Sequence, residues 1–167
     1  MTKTLHVLSD GQGTVVAGYL AAGVYYVRLV QHISSGLGIQ IASQLRKQLA
    51  DAATVTCFFD VASIEGGDFA ARSAIARALL ANRAQVTSIT TLIAPGHIPM
   101  RAKAFVTMLE RAGQVVDSDA TFRARLAEAA PAAASLLDSQ RPARVSRSSI
   151  RPVSRSLRPR ARSVTHA

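Results

Sequence analysis

The chain has 167 residues, enough for one domain of ordinary size, and 49% of them are hydrophobic, enough for a packed core. Aromatics are only 5% and tryptophan is absent, so Ala, Val, Leu and Ile must fill that core and stacking platforms for nucleic-acid bases are scarce. The net charge of +10 excludes a basic fold rather than implying one: Arg141, Arg144, Arg147, Arg151, Arg155, Arg158, Arg160 and Arg162 stand in residues 141–167 with no Asp or Glu, and the first 140 residues carry only +2.

In chain order, the start Met1–His6 lacks a charged region running into an apolar core, and Asp10 and Gly11 interrupt it, so no signal peptide is expected. Thr4–Leu8 predicts a strand, and Ser9-Asp10-Gly11-Gln12-Gly13 supplies glycines for a tight connection. The runs Thr14–Tyr19 and Val24–Val30, β-branched and aromatic, predict two further strands around Leu20-Ala21-Ala22-Gly23. The uncharged stretch Thr14–Val27 falls short of the ~20 residues a membrane-spanning helix needs and contains Gly18 and Gly23, so no transmembrane segment is expected.

Ser34-Ser35-Gly36 offers hydroxyl caps to a helix in which Leu37, Ile41, Leu45 and Leu49 recur every four residues. Thr54–Phe59 is almost wholly apolar, the pattern of a central strand covered on both faces, and Asp60 is read as its end. Its Cys57 is the single cysteine; it can form no internal disulfide and suits a reducing cytoplasm. Asp68 is placed to cap a helix to about Asn82, with Ile75, Leu79 and Leu80 as its apolar stripe. Val86–Ile93 predicts a strand. Pro99 fits the first turn of a helix carrying Phe105, Val106 and Leu109, with Gly113 as its stop. Gln114–Val116 predicts a short strand, and Ser118 or Asp119 caps a last helix through Phe122 and Leu126 that ends by Pro131.

The order β-β-β-α-β-α-β-α-β-α predicts an α/β fold: an N-terminal β meander, then alternating β-α units on a mainly parallel sheet. From Ala132 the composition turns to Ala, Ser, Pro and Arg, and no apolar period survives Leu137. A domain over 1–138 and a disordered basic tail over 139–167 are expected.

That order, together with Val27-Arg28-Leu29, Phe58-Phe59-Asp60, the helix from Phe69 to Arg83 and Asp119-Ala120-Thr121-Phe122, resembles a STAS domain over about residues 4–128. STAS domains form anti-sigma-factor antagonists and sulphate-transporter tails, and similarity extends to uncharacterised bacterial STAS-like proteins. The resemblance implies a non-enzymatic regulatory or scaffolding module that binds a protein partner in bacterial cytoplasmic signalling or assembly. In the antagonists an Asp-Ser pair opens a helix, and phosphorylation of the serine switches off binding. Aligning Asp60 with the family's strand-end aspartate puts Asp68 on the loop aspartate and Phe69 on the serine position. Phenylalanine cannot be phosphorylated, so the resemblance implies the surface without the switch.

From the residues themselves, Asp60, Glu65 and Asp68 lie around the loop Ile64–Asp68, at a sheet edge where α/β proteins bind ligands. Asp60, Glu65, Gly66, Gly67, Asp68 and Phe69 are the candidate partner-binding residues. Gly66-Gly67 before a helix could present N–H groups to an anion, although no phosphate-loop pattern is present. His6, His32, His97 and His166 stand far apart without metal-ligand spacing to Cys57, so no metal or cofactor is expected. No convergent catalytic set stands out either. His97, Arg101 and Lys103 gather near one helix start, where a solvated basic face is the plainer reading. The tail repeats Arg-Pro and Ser-Arg-Ser and binds by charge in this reading, adding affinity for an acidic partner. Two other readings compete: a nucleic-acid-associated protein acting through the tail, and a small-ligand or lipid carrier with a cavity beneath the helices.

Overall fold

A computed structural model describes residues 4–96 and 112–133. Six strands lie side by side in chain order: β1 (Thr4–Ser9), β2 (Gly13–Ala21), β3 (Val24–Ile33), β4 (Val55–Gly67), β5 (Val86–Leu92) and β6 (Ala112–Val116). The first three pair antiparallel through tight turns, and from β3 to β6 every pairing is parallel, so the sheet is mixed as the element order predicted. The first turn is held by Asp10, whose Oδ1 accepts the Gln12 and Gly13 N–H groups at 3.0 and 3.1 Å, while Gly11 takes φ +80. Gly23 turns β2 into β3 at φ +72, and its carbonyl accepts the Thr56 N–H at 2.8 Å.

Helices α1 (Ser35–Ala50) and α2 (Phe69–Ala81) cover one face of the sheet, and α3 (Asp119–Ala129) with a 3-10 turn at Pro131–Ala133 packs on the other. On the α1/α2 side, Leu37, Ile41, Leu45 and Leu49, the residues that defined the helix, meet Tyr25, Val27, Val55, Cys57, Phe59 and Ile89. Burying each side chain of Leu or Ile size contributes about 1.5–3 kcal/mol, so among the described residues this layer, the larger of the two apolar clusters, contributes most to stability. α1 and α2 touch at Gly38, where a Cβ would lie 2.3 Å from the Ala71 Cα. On the α3 side, Phe122 meets Phe58 edge-on at 5.7 Å between centroids, and Leu126 and Ala130 join Leu20, Val24 and Tyr26. Ser118 is the cap that forms, its Oγ accepting the Thr121 N–H at 3.3 Å.

Three expectations are corrected. β4 does not end at Asp60 but runs on to Gly67, because β3 also runs on to Ile33 and the parallel ladder continues through Ser63, Ile64, Gly66 and Gly67. Two irregularities in that ladder, one at Gln31 with φ 63, kept the extension from showing as a strand period. Gly113 is no helix stop: it lies in β6 opposite Ile89. Asp68 occupies the position before α2, but its carboxylate makes no cap bond, being drawn to other partners. The helix expected from Pro99, with His97, Arg101 and Lys103, and the tail arginines Arg141 to Arg162 lie outside the described residues.

Candidate functional site

The two helices that follow parallel strands β3 and β4 both start at the same end of the sheet, the end to which those strands point. Here α1 is seated by two carboxylates. Ser34 caps it, its Oγ accepting the Leu37 N–H at 3.1 Å while its hydroxyl donates to Asp10 Oδ2. The Ser35 N–H and hydroxyl both donate to Asp68 Oδ2 at 2.8 Å, and His32 Nε2 lies 3.1 Å from Asp68 Oδ1. Negative charge at a helix start is favourable, since the first amides carry no intrahelical partner. The Ser35 bonds, then His32, hold the Asp68 carboxyl below the usual carboxylate range, and Ser34 does the same for Asp10. The start of α1 is thus occupied by the protein's own anions.

The six candidate residues do not form one cluster. Asp60 is buried on the α3 side, 6% exposed, with Oδ2 3.6 Å from Arg28 Nε and 3.4 Å from the Tyr26 hydroxyl, and its Oδ1 accepts the Ala62 N–H at 3.2 Å. Arg28 and Asp60 are direct partners in the parallel ladder, and their side chains are 12% and 8% exposed. This is a buried ion pair inside the sheet, remote in role from the helix starts. Gly66 and Gly67 are ladder residues opposite His32 and Ile33, so they form no free loop to cradle an anion. A Cβ at Gly66 would lie 3.1 Å from His32 Nδ1, so a larger residue there would press on the His32 ring. Glu65 is exposed on β4.

Phe69, the first residue of α2, is 78% exposed. Ile39, in the first turns of α1, is 57% exposed. Each of the two helices therefore carries one exposed apolar side chain near its start, close in sequence to Ala71 and Gly38, where the helices touch. Sequence reasoning missed Ile39, although the signal was present: it falls outside the four-residue stripe of Leu37, Ile41, Leu45 and Leu49. It also missed the link from Asp68 to Ser35 and His32, which only the pairing of β3 with β4 creates. Cys57 is 0% exposed, and burial pushes its thiol up to about 12, which suits a core residue and not a nucleophile.

An open groove of about 400 Å³ lies between α3 and the sheet, with Thr56, Phe58, Ser88, Thr90 and Gln114 as its floor and Arg125 and Glu128 on its wall. Its floor hydroxyls bond one another, Ser88 Oγ to Thr56 Oγ1 at 3.2 Å. No helix among the described residues is long and apolar enough to cross a membrane, and none of the described His, Cys, Asp and Glu residues form a group of three able to hold a metal ion.

No family model matches the sequence, and no curated protein matches it significantly. Among solved structures, an uncharacterised protein of the DUF3478 family with a SpoIIAA-like fold, from Shewanella loihica PV-4, is similar with a TM-score of 0.52 at 8% identity, over 74% of this chain and 93% of that one. The anti-sigma factor antagonist SpoIIAA in its unphosphorylated form is similar with a TM-score of 0.46 at 14% identity, over 66% of this chain and 97% of that one. The chain therefore has a STAS-like, SpoIIAA-like fold.

Proposed function

We propose that this chain is a non-enzymatic interaction module acting in cytoplasmic signalling or assembly, and that it docks a protein partner at the end of the sheet where α1 and α2 begin. The exposure of Phe69 carries this reading: a phenylalanine that contributes little to the core stands 78% exposed at the start of α2, and Ile39 stands 57% exposed near the start of α1. Large aromatics in such positions serve as anchors in protein interfaces. Glu65 and Asp68 supply polar groups at the rim, and Gly66 and Gly67 hold the backbone that positions them. Asp60 acts from within the sheet as a structural group. The arginines of the tail, Arg141, Arg144, Arg147, Arg151, Arg155, Arg158, Arg160 and Arg162, add electrostatic attraction to an acidic partner, with 1–138 as the folded unit and 139–167 as a disordered extension.

The first 140 residues carry only +2 against the +8 of residues 141–167, so attraction for a polyanion comes mainly from the tail and the nucleic-acid reading rests chiefly on it. Quantitative capture from extracts of the native cell tests the proposal, using the intact chain, Phe69→Asp with Ile39→Asp, and a chain ending at Asp138. The proposal expects a protein that is retained by the intact and shortened chains and lost from the double variant. Capture of nucleic acid alone, abolished by moderate salt and by removal of the tail, would assign the function to the tail.

A further inference from the structure

Among the described residues the β1 strand is an edge of the sheet, and Thr4–Ser9 itself carries no charge, proline or bulge of the kind that keeps edge strands apart. Thr4–Ser9 contains no Lys, Arg, Asp, Glu or Pro, and its register with β2 runs one-to-one from Thr4–Tyr19 to Ser9–Thr14 without a bulge. Natural edges are usually blunted by such residues or by bulges. The hydrogen bond from the Asp10 N–H to the Gly13 carbonyl sets the alternation of the hairpin. Leu8 and His6 then pair inward with Val15 and Ala17, and the N–H and C=O groups of Leu5, Val7 and Ser9 point away from β2. The side chain of Val7, at the middle of this strand, is 64% exposed.

We propose that β1 pairs antiparallel with β1 of a second copy of this chain, about a two-fold axis at Val7. In that register Leu5 faces the other copy's Ser9, Val7 faces Val7, and every outward main-chain group of residues 5, 7 and 9 finds a partner. His6 falls opposite Leu8, so no like charges meet. The pairing joins two sheets into one continuous sheet and covers the exposed Val7 of each copy. The self-complementary register and the absence of charge select a second copy over an unrelated strand, because a two-fold axis requires one patch to match itself. The interface is independent of the Phe69 surface and stands or falls separately.

Sedimentation of the full chain over a wide concentration range tests it. The wild type is expected to dimerise, in a manner that moderate salt does not abolish. Val7→Pro removes an outward N–H that β2 does not use, and Val7→Lys places a charge on the axis. Each is expected to weaken dimerisation by at least about tenfold, since each removes apolar burial or pairing at the centre of the interface, while thermal unfolding stays near that of the wild type. If Val7→Pro misfolds, Val7→Lys decides, because that side chain is exposed. Val7→Cys is expected to form a disulfide-linked dimer on mild oxidation and His6→Cys is not, with buried Cys57 inert in both. A wild type that stays monomeric at all concentrations, a dimer that survives both Val7 variants, or a monomer whose edge takes up only a strand of another protein would overturn the proposal.

Discussion

Beneath α1 and α2 the sheet presents Tyr25, Val27, Val55, Cys57, Phe59 and Ile89, a layer without a charge; beneath α3 it presents Arg28 and Asp60, Thr56, Ser88, Thr90 and Gln114 beside its apolar residues. The first face is covered by two helices and the second, among the described residues, by α3 and one 3-10 turn. Strands β3 and β4 serve both faces at once, since alternate residues point to opposite sides. One face therefore carries stability, and the other tolerates polar groups that must satisfy each other. The proposed docking surface lies at the end of the covered face where α1 and α2 begin, α1 being held there by Ser34, Ser35 and Asp68.

The largest effect is expected on the covered face. Leu45→Asp or Leu79→Asp puts a carboxylate where the native side chain is 0% exposed, and loss of cooperative unfolding is expected in either variant. A folded variant would show that this layer does not carry the fold. Asp60→Ala comes next. It leaves the Arg28 guanidinium buried without its partner and should cost about 3 kcal/mol, while Arg28→Met with Asp60→Leu should recover much of that. Denaturant titration distinguishes the two, and equal losses would mean that the pair is not what the open face depends on. Gly38→Ala should cost about 1–3 kcal/mol, because the new methyl meets Ala71 and forces the helices apart.

The smallest effect concerns acid. Asp68 and Asp10 have folded-state affinities for protons held below the ordinary carboxyl value of 3.8. Stability from a lowered carboxyl is present above the ordinary value and is lost as pH falls through the lowered one. The thermal midpoint should therefore decline below about pH 4, and Asp68→Asn should flatten part of that decline. Both groups are partly or fully exposed, so the change is modest beside that of Asp60→Ala. An unchanged slope in Asp68→Asn would remove the carboxylate from the account of how α1 is seated.

Much of the fold was legible because its signals are local. Val55–Phe59 is an apolar run broken only by Thr56, and Leu37, Ile41, Leu45 and Leu49 repeat every four residues, so the central strand and the first helix follow from local pattern. The far half of β4 was not legible: Ser63, Glu65, Gly66 and Gly67 have the composition of a turn and become strand only because β3 lies alongside them. The candidate site was legible in part. Phe69 was identified through the resemblance, which puts it on the family's serine position, but the separation of Asp60 from Asp68 depends on which face each residue of β4 takes. The partnership of Asp68 with Ser35 spans 33 residues, and no local pattern announces it.

Photo-crosslinking tests the central claim most directly. A photoreactive residue in place of Phe69, introduced into the full chain in its native cell, should give a discrete protein adduct, whereas the same residue in place of Lys47, exposed near the far end of α1, should not. A single adduct specific to position 69 is the predicted result, and no protein adduct at position 69, or the same adducts from both positions, would contradict it.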